Sequence, residues 1–318
     1  MMISGSETMR LTRRSVFLGL AAVAGLPQMA QAGEASRLSG RAFGTGWTAL
    51  AEGLRDPERV AQRIRATLEA VDAEMSPFRP DSALSRFNAG GQDLPVSSDF
   101  EHVTRAALMV AAASGGACDP SVGPAVHRFG FGPIQGTYQP GGWQAIRCAE
   151  GRLWSEGPVT LDLCGIAKGF AVDRLAAVLG EESPSFIVEI GGEIFAQGDW
   201  PVGIADPLAG GVRSRIRLRD AAVATTGDAV NGFSHGGRRW SHVIDPATGA
   251  PVANDIASVS VIAPTAMQAD ALATALMVMG EERGLAFAAE QRVGALFLIR
   301  DSGGLRVRHN TVFAAHII

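Results

Sequence analysis

The chain has 318 residues, 47% of them apolar and 19% charged, enough to bury the core of one large globular body. Its formal charge of −4, with no Lys/Arg run interleaved with aromatics, offers no basic field to a phosphate backbone, which argues against a nucleic-acid partner. The cysteines Cys118, Cys148 and Cys164 form no CxxC pair and have no His-rich spacing around them, against a disulfide framework or a zinc site.

The first segment is an address. "LTRRSVFLGLAAVAGLPQMAQAGEA" puts Arg13 and Arg14 before an apolar run at 16–26, then a small-residue site at Ala30-Gln31-Ala32. This is the pattern of a twin-arginine signal with an Ala-x-Ala cleavage site, so residues 1–32 are expected to be removed and 33–318 to form the mature periplasmic protein. The apolar run is short for a bilayer, so no stable membrane span is expected after cleavage; an uncleaved anchor is the alternative. Export after folding is compatible with a cofactor acquired in the cytoplasm. In the mature chain, one disulfide with an odd thiol and three buried thiols are both open, and buried thiols are the expectation.

Asp56-Pro57-Glu58 starts a helix with Val60, Ile64, Leu68, Val71 and Met75 at helical spacing. Ser98 with Glu101 reads as the capping box of a second helix, ending at Gly115-Gly116. "VTLDL" at 159–163 alternates as a half-buried strand, and Phe170, Val172, Leu175, Val178 and Leu179 line a helix after it. Further strand-like runs fall at 185–190, 213–218, 240–244, 257–263 and 293–299. Strands gathered in the second half, with helices unevenly placed, predict an α+β architecture of mixed sheets with flanking helices.

Between the 159–163 strand and its helix lies Gly165-Ile166-Ala167-Lys168-Gly169. Glycines on both sides would let a ligand approach the backbone, the helix start would offer free N–H groups to an anion, and Lys168 would add charge. A plain strand-turn-helix connection with a solvated Lys168 is the competing reading. Farther on, "TAMQADALATALMVMG" places Asp270 and Thr274 one helical turn apart. Two oxygen donors so spaced suit Mg²⁺, though Asp270 could also offset the helix dipole and Thr274 could bond back to the backbone. "GACDPSVGP", "VATTGD" and "SHVIDPATGAPV" are each a turn when taken alone, and Asp245-Pro246-Ala247-Thr248-Gly249 reads as a hairpin.

Taken together these stretches carry a resemblance. "MSPFRPDSALSRFN", "GACDPSVGP", "LDLCGIAKGFAVD", "EIGGEIFAQG", "VATTGD", "SHVIDPATGAP" and "ADALATAL" stand in the order and spacing that resembles the ApbE family, the FAD:protein FMN transferases, over about residues 41–289. The resemblance implies a two-lobed α+β fold with a flavin cleft. It also implies Mg²⁺-dependent cleavage of FAD, release of AMP, and attachment of FMN to a threonine hydroxyl of an exported or membrane-bound redox protein.

The same resemblance implies Mg²⁺ ligands at the Ala167 carbonyl, Asp270 and Thr274. It places flavin contacts at Phe43, Phe78, Ala117, Cys118, Asp119, Cys164, Phe170 and Ile244, beside Lys168 of the phosphate junction and with Asp270 in catalysis; His242, just before the Ile-Asp-Pro turn, is the candidate by its imidazole chemistry to handle a proton or steady the phosphoryl group, a structural histidine being the alternative. A twin-arginine signal is a feature of ApbE-like accessory proteins of nitrous oxide respiration, so a flavoprotein regulator of that system is a candidate acceptor. The chain departs from the family pattern at Phe43-Gly44-Thr45, Cys118-Asp119, Phe78, Phe170 and Thr225-Thr226-Gly227, which touches flavin contacts more than metal ligands. An FAD pyrophosphatase, with water replacing the threonine hydroxyl, and a non-enzymatic flavin-binding protein are the alternatives.

Overall fold

The computed structural model describes residues 35–91, 93–228, 232–235 and 238–318, so the export signal expected at 1–32 lies outside the described residues. The first ladder joins β1 (Ala35–Ala42) to β2 (Thr45–Glu52) through Phe43-Gly44, with φ of +50° and +75°. Both turn residues are left-handed, the combination that matches the twist of a tight hairpin; a phenylalanine there is strained where a glycine would not be.

Six more strands complete this sheet: β3 (Phe186–Ile190), β4 (Glu193–Ala205), β5 (Val212–Gly227), β6 (Ile256–Ala263), β7 (Gly294–Asp301) and β8 (Gly304–His309). Their spatial order follows their chain order from β1 to β8, and every recorded pairing is antiparallel. Between β2 and β3 the chain inserts α1 (Pro57–Met75), α2 (Ala83–Asn88), α3 (Ser98–Ala113), α4 (Gly123–Arg128) and α5 (Ala167–Gly180), with a small sheet of Leu94–Pro95, Ile146–Ala149 and Arg152–Ser155. Two short hairpins, Phe233–His235 with Arg238–Trp240 and Ile244–Asp245 with Ala250–Pro251, lie between β5 and β6. Helices α6 (Ala266–Met279) and α7 (Glu281–Glu290) link β6 to β7, and α8 (Thr311–Ala314) follows β8.

Helices α1, α2, α3 and α5 close over β2 and β3 around Trp47, Ile64, Phe100 and Leu175, while α6 and α7 close over β6 and β7 around Val259, Leu276 and Phe297. A third cluster, with Trp200, Ile216, Leu296 and Phe313, fills another part of the core. Strand β6 is buried at every position, which explains why its sequence is a run of small and apolar residues without a polar face. Among the described residues, no helix is long and apolar enough to cross a membrane.

Local signals act largely as expected, with instructive exceptions. Asp56 caps α1 by accepting the Arg59 N–H at 3.0 Å, with Pro57 in the first turn. The cap of α3, however, is Ser97, which takes the Phe100 N–H at 3.1 Å. Ser98 lies inside the helix, and Glu101 turns to accept the Gly151 N–H at 2.7 Å, so the expected capping box does not form. The C-terminal end of α3 closes as foreseen, with Gly115 and Gly116 both left-handed and the Gly116 N–H returning to the Ala111 carbonyl at 2.7 Å.

Two expected strands are absent as ladders. Segment 159–163 joins no ladder among the described residues; its Leu161 backbone instead bonds to the Asn88 side chain through both N–H and carbonyl, at 2.7 and 2.8 Å. Segment 240–244 breaks because the Ser241 hydroxyl captures the Val243 N–H at 3.1 Å, so pairing ends at Trp240 and resumes at Ile244. The three cysteines carry free thiols, and Cys148 is buried, but Cys164 is exposed, contrary to the expectation of three buried thiols.

Candidate active site

Helix α5 has no capping side chain of its own at its N-terminus. Its Gly169 N–H donates to Asp270 Oδ2 of α6 at 3.0 Å, and its Ala167 N–H donates to the Leu163 carbonyl at 2.9 Å. In return Asp173 of α5 accepts the Ala266 and Met267 N–H groups at the start of α6, at 2.7 and 2.9 Å. Each helix therefore supplies the carboxylate that satisfies the other's orphan donors. The expectation of a helix start with free N–H groups for an anion is overturned at Ala167 and Gly169, whose donors are already used.

Gly169 also has a different task from the one its sequence context suggests. A Cβ there would lie 2.3 Å from the Ala266 carbonyl oxygen and 2.8 Å from Met267 Cα. The glycine exists to let two helix starts touch, and that contact brings Asp270 to α5. Gly165 faces the next turn of α6: a Cβ on it would stand 3.4 Å from Thr274 Oγ1. The Ala167, Lys168, Asp270 and Thr274 positions are thus brought to one junction.

The two carboxylates at this junction are buried. Asp270 is 4% exposed and Glu193, the first residue of β4, is 2% exposed. Lys168 Nζ reaches Glu193 Oε1 at 2.6 Å. Burial pushes the Asp270 carboxyl above its usual range, against the pull of Lys168 and the Gly169 N–H. Burial likewise raises Glu193, opposed by the Lys168 charge and reinforced by that of Asp270. For Lys168, burial works to lower the ammonium's pKa, but the charges of Glu193 and Asp270 outweigh it and hold the group protonated. Two carboxylates face one ammonium here, and a further cation at this point would favour the ionised form of both. Beside them Thr274 Oγ1 is 3.4 Å from Thr226 Oγ1 at the end of β5, and Thr225 pairs with Ser260 at 2.7 Å.

Two loops reach the same field. Half-buried Cys118 has its thiol pushed up to about 12 by burial, with Asp270, Asp119 and Asp162 adding their charges. Asp119 is spent on its own loop: Oδ1 takes the Ser121 N–H and hydroxyl at 2.7 and 2.6 Å, and Oδ2 takes the Gly141 N–H at 3.2 Å. Burial raises its carboxyl and these bonds lower it, with burial prevailing. The Asp162 N–H meets the Pro120 carbonyl at 2.6 Å, which ties this loop to the approach of α5, and Asp162 Oδ1 takes the Cys164 N–H at 2.9 Å to begin the turn.

The remaining expected positions differ in burial. Phe170 is packed in the core, its ring centroid 6.2 Å from that of His102, and Ile244 is buried. Phe43 and Ala117 are half-buried, and Phe78 stands 69% exposed. His242 is half-buried with its ring edge against Phe131, centroids 6.2 Å apart. The hairpin that follows it is gripped by Tyr138, whose hydroxyl donates to the Pro246 carbonyl at 2.6 Å, and by Arg128, which donates to the Gly249 carbonyl.

Sequence reasoning missed Glu193, Asp173 and Asn88. Glu193 follows a Gly-Gly pair and opens an apolar strand, and Asp173 interrupts the apolar run of α5; an acidic residue in such surroundings is the signal that was available. Asn88 gives no signal, because its partner is 73 residues away.

Comparison with known proteins bears on the whole chain. The model of the ApbE family matches residues 43–297. The FAD:protein FMN transferase of Vibrio cholerae serotype O1 is 35% identical over 92% of this chain and 96% of its own length, and that of Haemophilus influenzae is 34% identical over 80% and 83%. Among solved structures, the flavin transferase ApbE from Vibrio cholerae superposes with a TM-score of 0.80 at 32% identity, covering 89% of this chain and 100% of that one. The apo form of the Pseudomonas stutzeri flavinyl transferase ApbE gives 0.80 at 29% identity, with 90% and 98% covered. With the family model matched over most of its length and such relatives covered nearly end to end, the chain belongs to the ApbE family.

Proposed function

We propose that this protein is an FAD:protein FMN transferase that links FMN to a threonine hydroxyl of an exported or membrane-bound redox protein and releases AMP. The observation that carries the reading is the junction where Asp270 and Thr274 of α6 meet the start of α5, in a chain whose relatives bear the transferase name. The acceptor oxygen attacks the FMN phosphorus, the bond from that phosphorus to the AMP oxygen breaks, and the threonine proton leaves to a base.

The residues present fit Mg²⁺. Among the described residues no group of three His, Cys, Asp or Glu side chains is arranged to hold a metal, but the set in question needs only one carboxylate, with a hydroxyl and a carbonyl. Asp270, Thr274 and the Ala167 carbonyl are hard oxygen donors, and a small dication beside the buried Asp270 and Glu193 would hold both carboxyls ionised. Bound Mg²⁺ would neutralise charge on the transferring phosphoryl group. Lys168 adds a fixed cation to the same phosphates, and His242 is assigned the threonine proton, since imidazole titrates near neutral pH. Phe43, Phe78, Ala117, Cys118, Asp119, Cys164, Phe170 and Ile244 are proposed to surround the flavin nucleotide, with Phe170 and Ile244 supporting the wall from behind.

The twin-arginine pattern at Arg13 and Arg14 supports export to the periplasm, where the acceptor would also reside. Incubation with FAD and Mg²⁺, with and without an acceptor domain, tests the activity: AMP release that requires the acceptor and leaves a flavin-fluorescent acceptor band supports transfer. Equal AMP release in both arms points to a pyrophosphatase, and none in either arm points to flavin binding alone.

A further inference from the structure

We propose that Glu193 is a positioning residue that holds the Lys168 ammonium at the start of α5, facing the phosphates of bound FAD. The inference rests on the function proposed above and names a residue that function does not yet include.

A lysine stem has four rotatable bonds, and fixing it costs up to roughly 2 kcal/mol of rotamer entropy. Lys168 is about one-third exposed, so packing alone does not hold it; its anchor is Glu193 Oε1 at 2.6 Å. That anchor sits on a rigid element. Glu193 opens β4 directly after the Gly191-Gly192 turn, where Glu189 Oε1 accepts the Gly192 N–H at 2.9 Å. The turn is pressed against β2 so closely that a Cβ on Gly191 would lie 2.9 Å from Thr45 Cγ2.

The second observation is Glu193 Oε2, which is buried and has no hydrogen-bond partner among the described residues. A carboxylate present for packing would have both oxygens satisfied or would be replaced by an apolar side chain, because a bare buried acceptor costs about 1–3 kcal/mol. Glu193 bears that cost with Lys168 Nζ on its other oxygen at 2.6 Å, and the buried Asp270 adds its negative charge to the same field. The ammonium is thereby kept at the junction rather than in solvent, where a dianionic pyrophosphate approaching Asp270 and Thr274 meets it already oriented.

The test is a double-mutant cycle read in two ways. FAD binding is measured by equilibrium dialysis with EDTA present, and AMP release is measured separately with Mg²⁺ and an acceptor domain, for wild type, Lys168→Met, Glu193→Gln and the double variant. Each single variant is expected to weaken FAD binding about tenfold, the loss of one charge-assisted bond, and the double variant no further than Lys168→Met alone. A Glu193→Gln protein that binds FAD like wild type, or a double variant whose loss is the product of the two single losses, would overturn the inference. Should Glu193→Gln fail to fold, Glu193→Asp keeps the charge while shortening the reach and is expected to show the same weakening and the same non-additivity. Wild-type protein that binds no FAD in EDTA and releases no AMP with Mg²⁺ and acceptor would overturn the functional reading and this inference with it; wild-type binding with an unaffected Glu193→Gln variant overturns this inference alone.

Discussion

Asp173 and Asp270 cap each other's helices: Asp173 of α5 accepts two N–H groups from the first turn of α6, and Asp270 of α6 accepts one from the first turn of α5. Two acidic side chains in a largely apolar junction are costly unless hydrogen-bonded, and here the helix termini bond both. The exchange fixes the relative position of Ala167, Lys168, Asp270 and Thr274 without a bound ligand, which suits a site that works by orienting phosphate groups.

The first prediction separates the structural and chemical roles of Asp270. Asp270→Asn keeps an oxygen for the Gly169 N–H, so urea unfolding is expected to shift by no more than about 1 kcal/mol. AMP release from FAD with saturating Mg²⁺ and acceptor is expected to fall at least about a hundredfold, as loss of a central electrostatic element does. Near-normal AMP release in a folded Asp270→Asn protein would remove Asp270 from the metal site.

Gly169 is expected to tolerate no side chain. Gly169→Ala places a methyl against the Ala266 carbonyl at an approach no relaxed structure allows, so α5 and α6 must separate, at about 3 kcal/mol by the cost of overpacking. Denaturant unfolding compared with Gly165→Ala, where the nearest atom is the end of the Thr274 side chain, checks the contrast. Equal stability of the two variants would contradict the packing role.

Asp173 should leave a pH signature in stability. Burial pushes its carboxyl up to about 6, against the two N–H groups that lower it. A carboxyl raised above its unfolded value binds its proton more tightly in the native state, so its contribution is fully present below pH 4 and is lost as pH rises through 6. The stability of wild type relative to Asp173→Asn is expected to decline by roughly 2 kcal/mol between pH 4 and pH 7. A difference that stays flat, or grows with pH, would mean that Asp173 is not raised.

Export is tested at the N-terminus. Replacing Arg13 and Arg14 together by lysine is expected to leave folded protein in the cytoplasm, because the twin-arginine pathway reads that pair while the apolar run at 16–26 is unchanged. Mature protein still found in the periplasmic fraction would assign export to the general secretory route.

How far the sequence carried the fold depended on where each partner lay. Helix α1 and the C-terminal end of α3 were legible because Asp56, Pro57, Gly115 and Gly116 act on residues within one turn. The 159–163 segment has the alternation of a strand, but its hydrogen bonds go to Asn88, and nothing local reports a partner 73 residues away. At 240–244 the strand-forming composition lost to one local competitor, the Ser241 hydroxyl. In the site, the Asp270–Thr274 spacing and the Gly165 to Gly169 turn were visible, but the purpose of Gly169 was not, since its steric neighbour is Ala266 of α6. Glu193 was passed over because an acid at the head of an apolar strand looks exposed until the sheet and Lys168 enclose it.

The most direct measurement follows wild-type protein with FAD, Mg²⁺ and an acceptor domain carrying a single modifiable threonine, counting AMP released and flavin bound covalently to the acceptor. One AMP per acceptor flavinylated is expected, with both signals lost when that threonine is replaced by valine and when Mg²⁺ is removed by EDTA. AMP release that continues unchanged with the valine acceptor, without covalent flavin, would contradict transfer and assign the site to hydrolysis.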